Sequence, residues 1–323
     1  MKRRTLTLSA AALALAPLWG HAQQQVFPEK PITFIVPFAA GTATDQIARA
    51  LGNSITAETK QPVVIDNKAG ASGFIASQQA AKAAADGYTV LITTNTTHAA
   101  NEHLFKKLPY DPVKDFAPIT ALGKGGQIMV VNPSFPAKSV AEFVALAKKE
   151  PGKYSFGSGS SSSRMAGELL QQMADIKLLH VPYKSNTLAV TDLLGGQIHM
   201  MITDAATGLP QVKGGKLRAL GVSSAARSPL APDVPTISEA GVKGYEMGYW
   251  FAAYAPAKTP PAVVKRLNEL LVKAAKSESA KTAFYEPTGT EVFTTSPEEL
   301  AKFQTAESQK WGRIVKAAGI EAE

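Results

Sequence analysis

From residue 31 onward the chain switches repeatedly between short β-branched runs and segments whose apolar residues recur every three or four positions. Residues 31–38 (PITFIVPF) are the first such run, and Ile47, Ala48, Leu51 and Ile55 then repeat at helical spacing. Further strands are expected at 62–65 and 88–93, with an alanine-rich helix between them that starts near Ser72 and stops at Asp86 and Gly87. That order predicts an α/β fold with a mostly parallel sheet and helices on both faces. After the turn residues Pro109, Asp111 and Pro112, a short strand is expected at 128–131, closed by Asn132 and Pro133. A second series follows. Ser139 and Glu142 spell a capping box for a helix that turns Val140, Phe143, Val144 and Ala147 inward. Strands are expected at 154–156, 178–181, 200–203, 217–222 and 250–254, and the glycine pairs at 195–196 and 214–215 end two of the intervening helices. The last two helices begin at Thr259-Pro260 and Ser296-Pro297. Two α/β series joined by two short strands predict two lobes with a double crossover. A ligand then belongs in the cleft, at the carboxyl ends of strands from both lobes.

The first 22 residues read as an export signal. Lys2, Arg3 and Arg4 give a positive start, an apolar stretch broken by Pro17 follows, and Gly20 and Ala22 set up a cut after Ala22. The stretch is shorter and more polar than the roughly 20 apolar residues of a membrane anchor. Arg3-Arg4 followed by Leu6 faintly resembles a twin-arginine signal, but the general secretory route is the simpler reading. With no cysteine to carry a lipid, the expected product is a soluble periplasmic protein. The absence of cysteine also excludes disulfide scaffolds, thiolate nucleophiles, zinc fingers and iron–sulfur clusters. A length of 323 residues favours two domains over one. The net charge of +8 falls once the basic leader is removed, and no dense basic run with interleaved aromatics remains. Nucleic acid is therefore not an expected partner.

Four loops after strands carry more hydrogen-bonding groups than a turn requires. The first, from Phe38 through Gly41, Thr42, Ala43 and Thr44 to Asp45, opens directly into a helix. Its small residues let backbone amides approach an anion at the helix N-terminus. An ordinary cap by Thr42 or Thr44 fits the same residues equally well. The second loop is Thr94, Asn95, Thr96, Thr97 and His98, where His98 has no partner at short range and reads first as structural. The third runs from Gly157 through Ser158, Gly159, Ser160, Ser161, Ser162 and Ser163 to Arg164. Its place between a strand and an amphipathic helix favours a nest of donors around an oxyanion over a flexible linker. Arg164 opposes the helix dipole unless an anion lies nearby, although a solvent-facing arginine fits as well. The fourth loop offers Asp204, as a helix cap or a ligand contact.

Several chemistries are missing. No GxGxxG, phosphate-binding P-loop, HExxH or GxSxG pattern occurs where it would have to, so no cofactor or metal is expected. A Ser160, His180 and Asp192 triad can be written on paper, but so many serines produce such a set by chance. Tyr183 and Lys184 could reach the cleft, with a surface lysine as the default.

The ordered landmarks resemble one family. They begin with Pro28, Lys30, Pro31 and Ile32, run through Ile35, Val36, Pro37 and Phe38, and continue with Gly41 and Asp45. Next come Pro62-Val63-Val64, Asp86-Gly87-Tyr88-Thr89, Leu108-Pro109-Tyr110-Asp111-Pro112, Lys114-Asp115-Phe116-Ala117-Pro118 and Val131-Asn132-Pro133-Ser134. His180-Val181-Pro182-Tyr183-Lys184, Thr191-Asp192-Leu193-Leu194-Gly195-Gly196-Gln197, Lys216-Leu217-Arg218-Ala219-Leu220, Asp233-Val234-Pro235-Thr236 and Trp250-Phe251 complete the set. This pattern is similar to the Bug family, the periplasmic solute-binding proteins of tripartite tricarboxylate transporters, over essentially the whole mature chain. The resemblance implies a type II periplasmic-binding-protein fold: two α/β lobes joined by two crossover strands and closing on a carboxylate. It implies lobes at 23–123 with 255–323 and at 124–254. It also implies that the loops already singled out, together with Asp204, hold the ligand through amides, hydroxyls and waters. Two residues depart from the family pattern. Thr42 stands where a second glycine is usual, and Arg164 stands where a histidine is usual and could pair bidentately with a carboxylate.

The expected function is capture of an organic carboxylate by a monomeric, non-enzymatic protein and its delivery to a membrane permease of the tripartite tricarboxylate type. A ligand-sensing partner of a membrane sensor kinase is the alternative, and a secreted serine hydrolase a more remote one. Donor-rich loops from two lobes favour a dicarboxylate. Phe38 and Trp250, if they flank a flat body, favour an aromatic one such as terephthalate over an aliphatic acid of four to six carbons.

Overall fold

The structure, a computed structural model, describes residues 27–317 and 319–322; the expected export signal lies outside the described residues. The first lobe starts with β1 (Ile32–Val36), α1 (Ala43–Thr59) and β2 (Val63–Asn67), then α2 (Phe74–Ala81), β3 (Thr89–Thr94) and the short α3 (Asn101–Leu104). β1 pairs in parallel with both β2 and β3, as the β-α-β-α order requires. Side chains alternate faces along these strands. Ile32, Phe34 and Val36 pack with Ile47 and Leu51 of α1, whereas Ile35 packs into the cluster on the opposite face. The alanine-rich helix starts at Phe74 rather than Ser72, because Ser72 and Gly73 both hold left-handed backbone, with φ of 51° and 86°.

The strand expected at 128–131 is the end of a far longer one. β4 (Phe116–Val131) runs for 16 residues and ties the lobes together. Up to Gly126 it pairs antiparallel with β9 (Gly248–Pro256); from Gln127 it pairs with β7 (Met200–Asp204) and β8 (Arg218–Val222). Its glycines conceal the strand in the sequence. A Cβ at Gly125 would lie 2.5 Å from the Tyr249 hydroxyl, so here glycine marks a close approach rather than a turn. Register shifts between Pro118 and Thr120 and between Ala121 and Gly123 bend the ribbon. The crossover is thus two long antiparallel strands, not the two short ones expected.

The second lobe holds α4 (Val140–Lys149), β5 (Ser155–Ser158), α5 (Ser161–Ala174), β6 (Leu179–Pro182) and α6 (Asn186–Leu194), and closes with β7, α7 (Ala205–Lys213) and β8. β5 pairs in parallel with β6 and β7. Ser139 caps α4 by accepting from the Glu142 amide, as the capping box predicts. After β9 the chain returns to the first lobe through α8 (Pro261–Ala275), the short α9 (Glu278–Ala280) and α10 (Glu286–Thr288), and α11 (Pro297–Ala317). Leu267, Leu270 and Leu271 of α8 join the α1 face of the sheet, while Leu300 and Trp311 of α11 join the other. Both faces of the first sheet are therefore covered, which leaves the strand ends and the crossover as the places for a site.

Candidate functional site

The cleft between the lobes narrows to an inner cavity of about 40 Å³. Phe38, Thr42, Ala43, Thr44, Thr94 and Asn95 line it from the first lobe; Gly159, Ser160, Ser162, Asn186 and Asp204 line it from the second. Gln127, Tyr249 and Phe251 of the crossover strands form its floor. Phe38, Gly159 and Ser160 also border an outer pocket of about 400 Å³, whose walls include Ser158, Ser161, Arg164, His180, Tyr183 and Lys184.

Two helix N-termini face each other across the inner cavity. No side chain caps α1, because the Thr42 hydroxyl donates to the Ala39 carbonyl instead. Its first amides lie in buried residues, Ala43 and Thr44, and have no partner within the helix. Opposite them, Ser160 caps α5 by accepting from the Ser163 amide, which leaves the turn of Ser161 and Ser162 facing the first lobe. Two positive dipole ends converging on one small space suit an anion.

The rest of the glycine–threonine loop holds α1 in place. Asp45 is buried outside the cavity. It accepts from the Gly41 amide at 2.9 Å and pairs with Arg49, while Asn67 at the end of β2 donates to the Phe38 carbonyl. Burial alone would raise the Asp45 carboxyl; the Arg49, Gly41 and Asn67 contacts outweigh it and hold it below the usual carboxylate range.

The threonine-rich loop divides in two. Thr94 and Asn95 reach the cavity, but Thr96, Thr97 and His98 are buried behind it. Thr97 bonds to Thr93 at 2.6 Å and to His98 Nδ1 at 2.8 Å, and the His98 ring stacks on Tyr254 with centroids 3.9 Å apart. Among Thr97, Tyr110, Phe116 and Tyr254 it has no charged neighbour, and burial pushes its pKa down to about 3. His98 is therefore structural and neutral. In the unfolded chain it titrates near 6.5, so its contribution to stability is complete above that pH and falls as pH drops toward 3. Between pH 7 and 5 this predicts a loss of roughly 2 kcal/mol. Urea denaturation at the two pH values should show that drop in the wild type and not in His98→Phe; equal drops would contradict it.

The serine loop also divides. Ser160 and Ser162 line the inner cavity, while the Ser161 hydroxyl donates to Asn101 Oδ1 of the first lobe at 2.8 Å, a direct clasp between lobes. Ser163 is buried with its hydroxyl on the Ile202 carbonyl, and Ser158 pairs with His180 Nε2 at 2.7 Å. The paper triad does not assemble: His180 meets Ser158 rather than Ser160, and Asp192 accepts from the Tyr183 hydroxyl. Burial first, then that bond, pushes the Tyr183 hydroxyl up to about 12. Arg164 faces the outer pocket with Nε 3.8 Å from Glu168, whose carboxyl burial raises despite the nearby guanidinium. Asp204 both caps α7, through the Thr207 amide, and lines the cavity, where Asn186 donates to its other oxygen.

Asn186, Gln127, Tyr249 and Phe251 were not singled out in the sequence. Strand alternation explains the aromatics. Tyr249 and Phe251 point to the cavity side of β9, so Trp250 points away, into the core, with its indole nitrogen on Glu307. Trp250 therefore does not wall the site. Gln127, a lone amide between a glycine pair and an apolar run, was the available signal for the floor.

Comparison with known proteins decides the family. The model for the tripartite tricarboxylate transporter family receptor matches residues 47–320. The chain belongs to that family. BugT of Bordetella pertussis is 33% identical to this receptor over 98% of each chain. Among solved structures, R. palustris Rpa4515 with adipate is 34% identical with a TM-score of 0.89, covering 92% of this chain and all of that one. The periplasmic binding protein BugD is 32% identical at 0.87, with 92% and 100% covered. MatC from Rhodopseudomonas palustris with bound malate is 30% identical at 0.84, with 90% and 100% covered. The receptor thus has the two-lobed type II periplasmic-binding fold, and its family is one of solute-binding receptors, not enzymes. Among the described residues, no acidic or histidine cluster could hold a metal, and no helix is long and apolar enough to cross a membrane.

Proposed function

We propose that this receptor captures an organic carboxylate between its lobes and presents the closed form to a tripartite-type permease. The observation that carries the reading is the uncapped, buried N-terminus of α1 facing the start of α5 across the inner cavity. One carboxylate there accepts from the Ala43 and Thr44 amides on one side and from the serine turn on the other. Because it bridges the lobes, it favours the closed arrangement over an open one, and that difference is what a permease can read. The Ser161–Asn101 bond adds to closure. The two lobes are the moving units, turning about β4 and β9; the working protein is a monomer.

Adipate in Rpa4515 and malate in MatC support a carboxylate as the class. With Trp250 turned into the core, the aromatic diacid loses one of its two expected walls. A thermal-shift screen tests the class. At 100 times its dissociation constant a ligand stabilises by about 2.7 kcal/mol. Carboxylates should raise the melting temperature and sugars or cationic amines should not; the reverse would end the proposal. The location follows from the leader. Protein recovered from the periplasm should begin at or near Gln23, by N-terminal sequencing, whereas an intact Met1 form confined to the cytoplasm would contradict export.

A further inference from the structure

The crossover separates two spaces. On one side Gln127, Tyr249 and Phe251 floor the inner cavity; on the other, Lys124 to Ile128 of β4 floor a groove of about 630 Å³, and Gln127 borders both. One wall of the groove belongs to the second lobe: Leu209 of α7, and Ser228, Pro229 and Leu230 in the loop after β8. Leu230 packs there against the apolar cluster that holds Leu193 and Leu209. The facing wall is α10 and the segment from Gly289 to Val292, which is tied to the first lobe. The Tyr285 hydroxyl donates to the Leu122 carbonyl, and Thr290 bonds to the Tyr249 hydroxyl. The lobes meet across the groove where Leu230 and Ser228 approach Gly289. Gly289 has φ of 64°, and a Cβ built on it would lie 3.0 Å from Leu230 Cδ1 and 3.4 Å from Ser228 Oγ. Nearby, α7 packs against α10.

β4 changes partners between Gly126 and Gln127, leaving β9 for β7 and β8. Two lobes carried on one ribbon pivot at such a place, and a pivot between two spaces widens one as it narrows the other. The Ser161–Asn101 clasp is made at the front, yet Leu230 already lies against Gly289 at the rear. Opening the cleft therefore drives the loop after β8 further toward the first lobe, where it meets backbone, and overpacking of that kind is resisted. We infer that Leu230 and Ser228 form a rear stop that limits how far the lobes open, so that bulk at a place outside the inner cavity sets the affinity of the front cleft. Fewer open states leave a larger binding-competent fraction, and apparent affinity rises in proportion to it. This rests on the lobe closure proposed above and adds a control to it.

The chain has no cysteine, so Lys107→Cys and Lys177→Cys together take a clean pair of spin labels. Both positions are exposed, a few residues from Phe105 and His180 on opposite lips of the outer pocket. Double electron–electron resonance then reads the lobe separation of the mature protein, alone and with adipate or malate. Without either acid, Leu230→Ala should lengthen the label distance relative to the wild type, and Ser228→Trp should shorten it. Calorimetry with whichever acid binds should show affinity at least about threefold weaker in the first variant and tighter in the second. The melting temperature without either acid reports whether each variant folds. Should Leu230→Ala not fold, Ser228→Trp, which adds bulk and removes no apolar contact, decides alone. Equal label distances in the folded variants and the wild type, whatever the affinities, overturn the stop; if adipate or malate still shortens them, the closure reading stands. Distances that differ among the variants but do not respond to an acid that binds support the stop and end the closure reading.

Discussion

Alanine at position 159 should be among the most damaging single-methyl changes available in this protein. A Cβ there would lie 1.8 Å from the Ser185 carbonyl carbon and 2.1 Å from the Asn186 nitrogen, both backbone atoms that cannot turn aside. The serine turn would have to move off α6, breaking the bond from the Gly159 amide to Asn186 Oδ1 and loosening the Asn186 contact to Asp204. Overpacking of this kind costs about 3 kcal/mol. Because the displaced atoms line the inner cavity, ligand affinity should fall with stability. Chemical denaturation and titration calorimetry on Gly159→Ala measure the two losses. Wild-type values for both would show that the turn does not depend on this approach.

The second large effect isolates one backbone amide. Ala43 is the first residue of α1, where proline is tolerated because its missing N–H has no partner in the helix. Thr42 before it has φ −73° and ψ 161°, the extended geometry that a residue preceding proline prefers. Ala43→Pro therefore removes a donor from the cavity while leaving the helix intact. If that amide holds a carboxylate, affinity should drop by roughly 1.5–3 kcal/mol, about ten- to a hundredfold. The unliganded melting temperature should change little. Unchanged affinity in a folded variant would remove the α1 terminus from the site.

The sequence exposed the architecture wherever apolar periodicity was clean. β1, α1, β3, α4 and α8 all fall within a few residues of their expected places, since each presents one apolar face to a sheet. It concealed β4, because Gly123, Gly125 and Gly126 look like breaks until Thr290, Tyr249 and Ser224 are seen packed where a side chain would be. Among the loops, composition pointed to the right segments but could not rank residues inside them. Thr94 and Thr97 are the same residue type three positions apart, yet one faces the cavity and the other bonds inward to Thr93 and His98. Ser160 and Ser163 divide in the same way. Which hydroxyl turns inward is set by the curl of the backbone after the strand, a three-dimensional fact with no signature in a run of serines. Asn186 reaches the site only because α6 starts against Gly159, a contact between segments 27 residues apart. The family landmarks reported the fold as a whole, but Trp250 shows their limit: it sits beside Phe251 in one of them and faces the opposite side of the sheet.

A crystal structure of the mature protein with the tightest-binding carboxylate of the screen tests the central claim most directly. The account predicts closed lobes, with one carboxylate of the ligand within hydrogen-bond distance of the Ala43 or Thr44 amide and of the Ser160–Ser162 turn. A carboxylate seated instead in the groove behind the crossover, among Lys124, Arg227 and Lys281, with the inner cavity left to solvent, would contradict it.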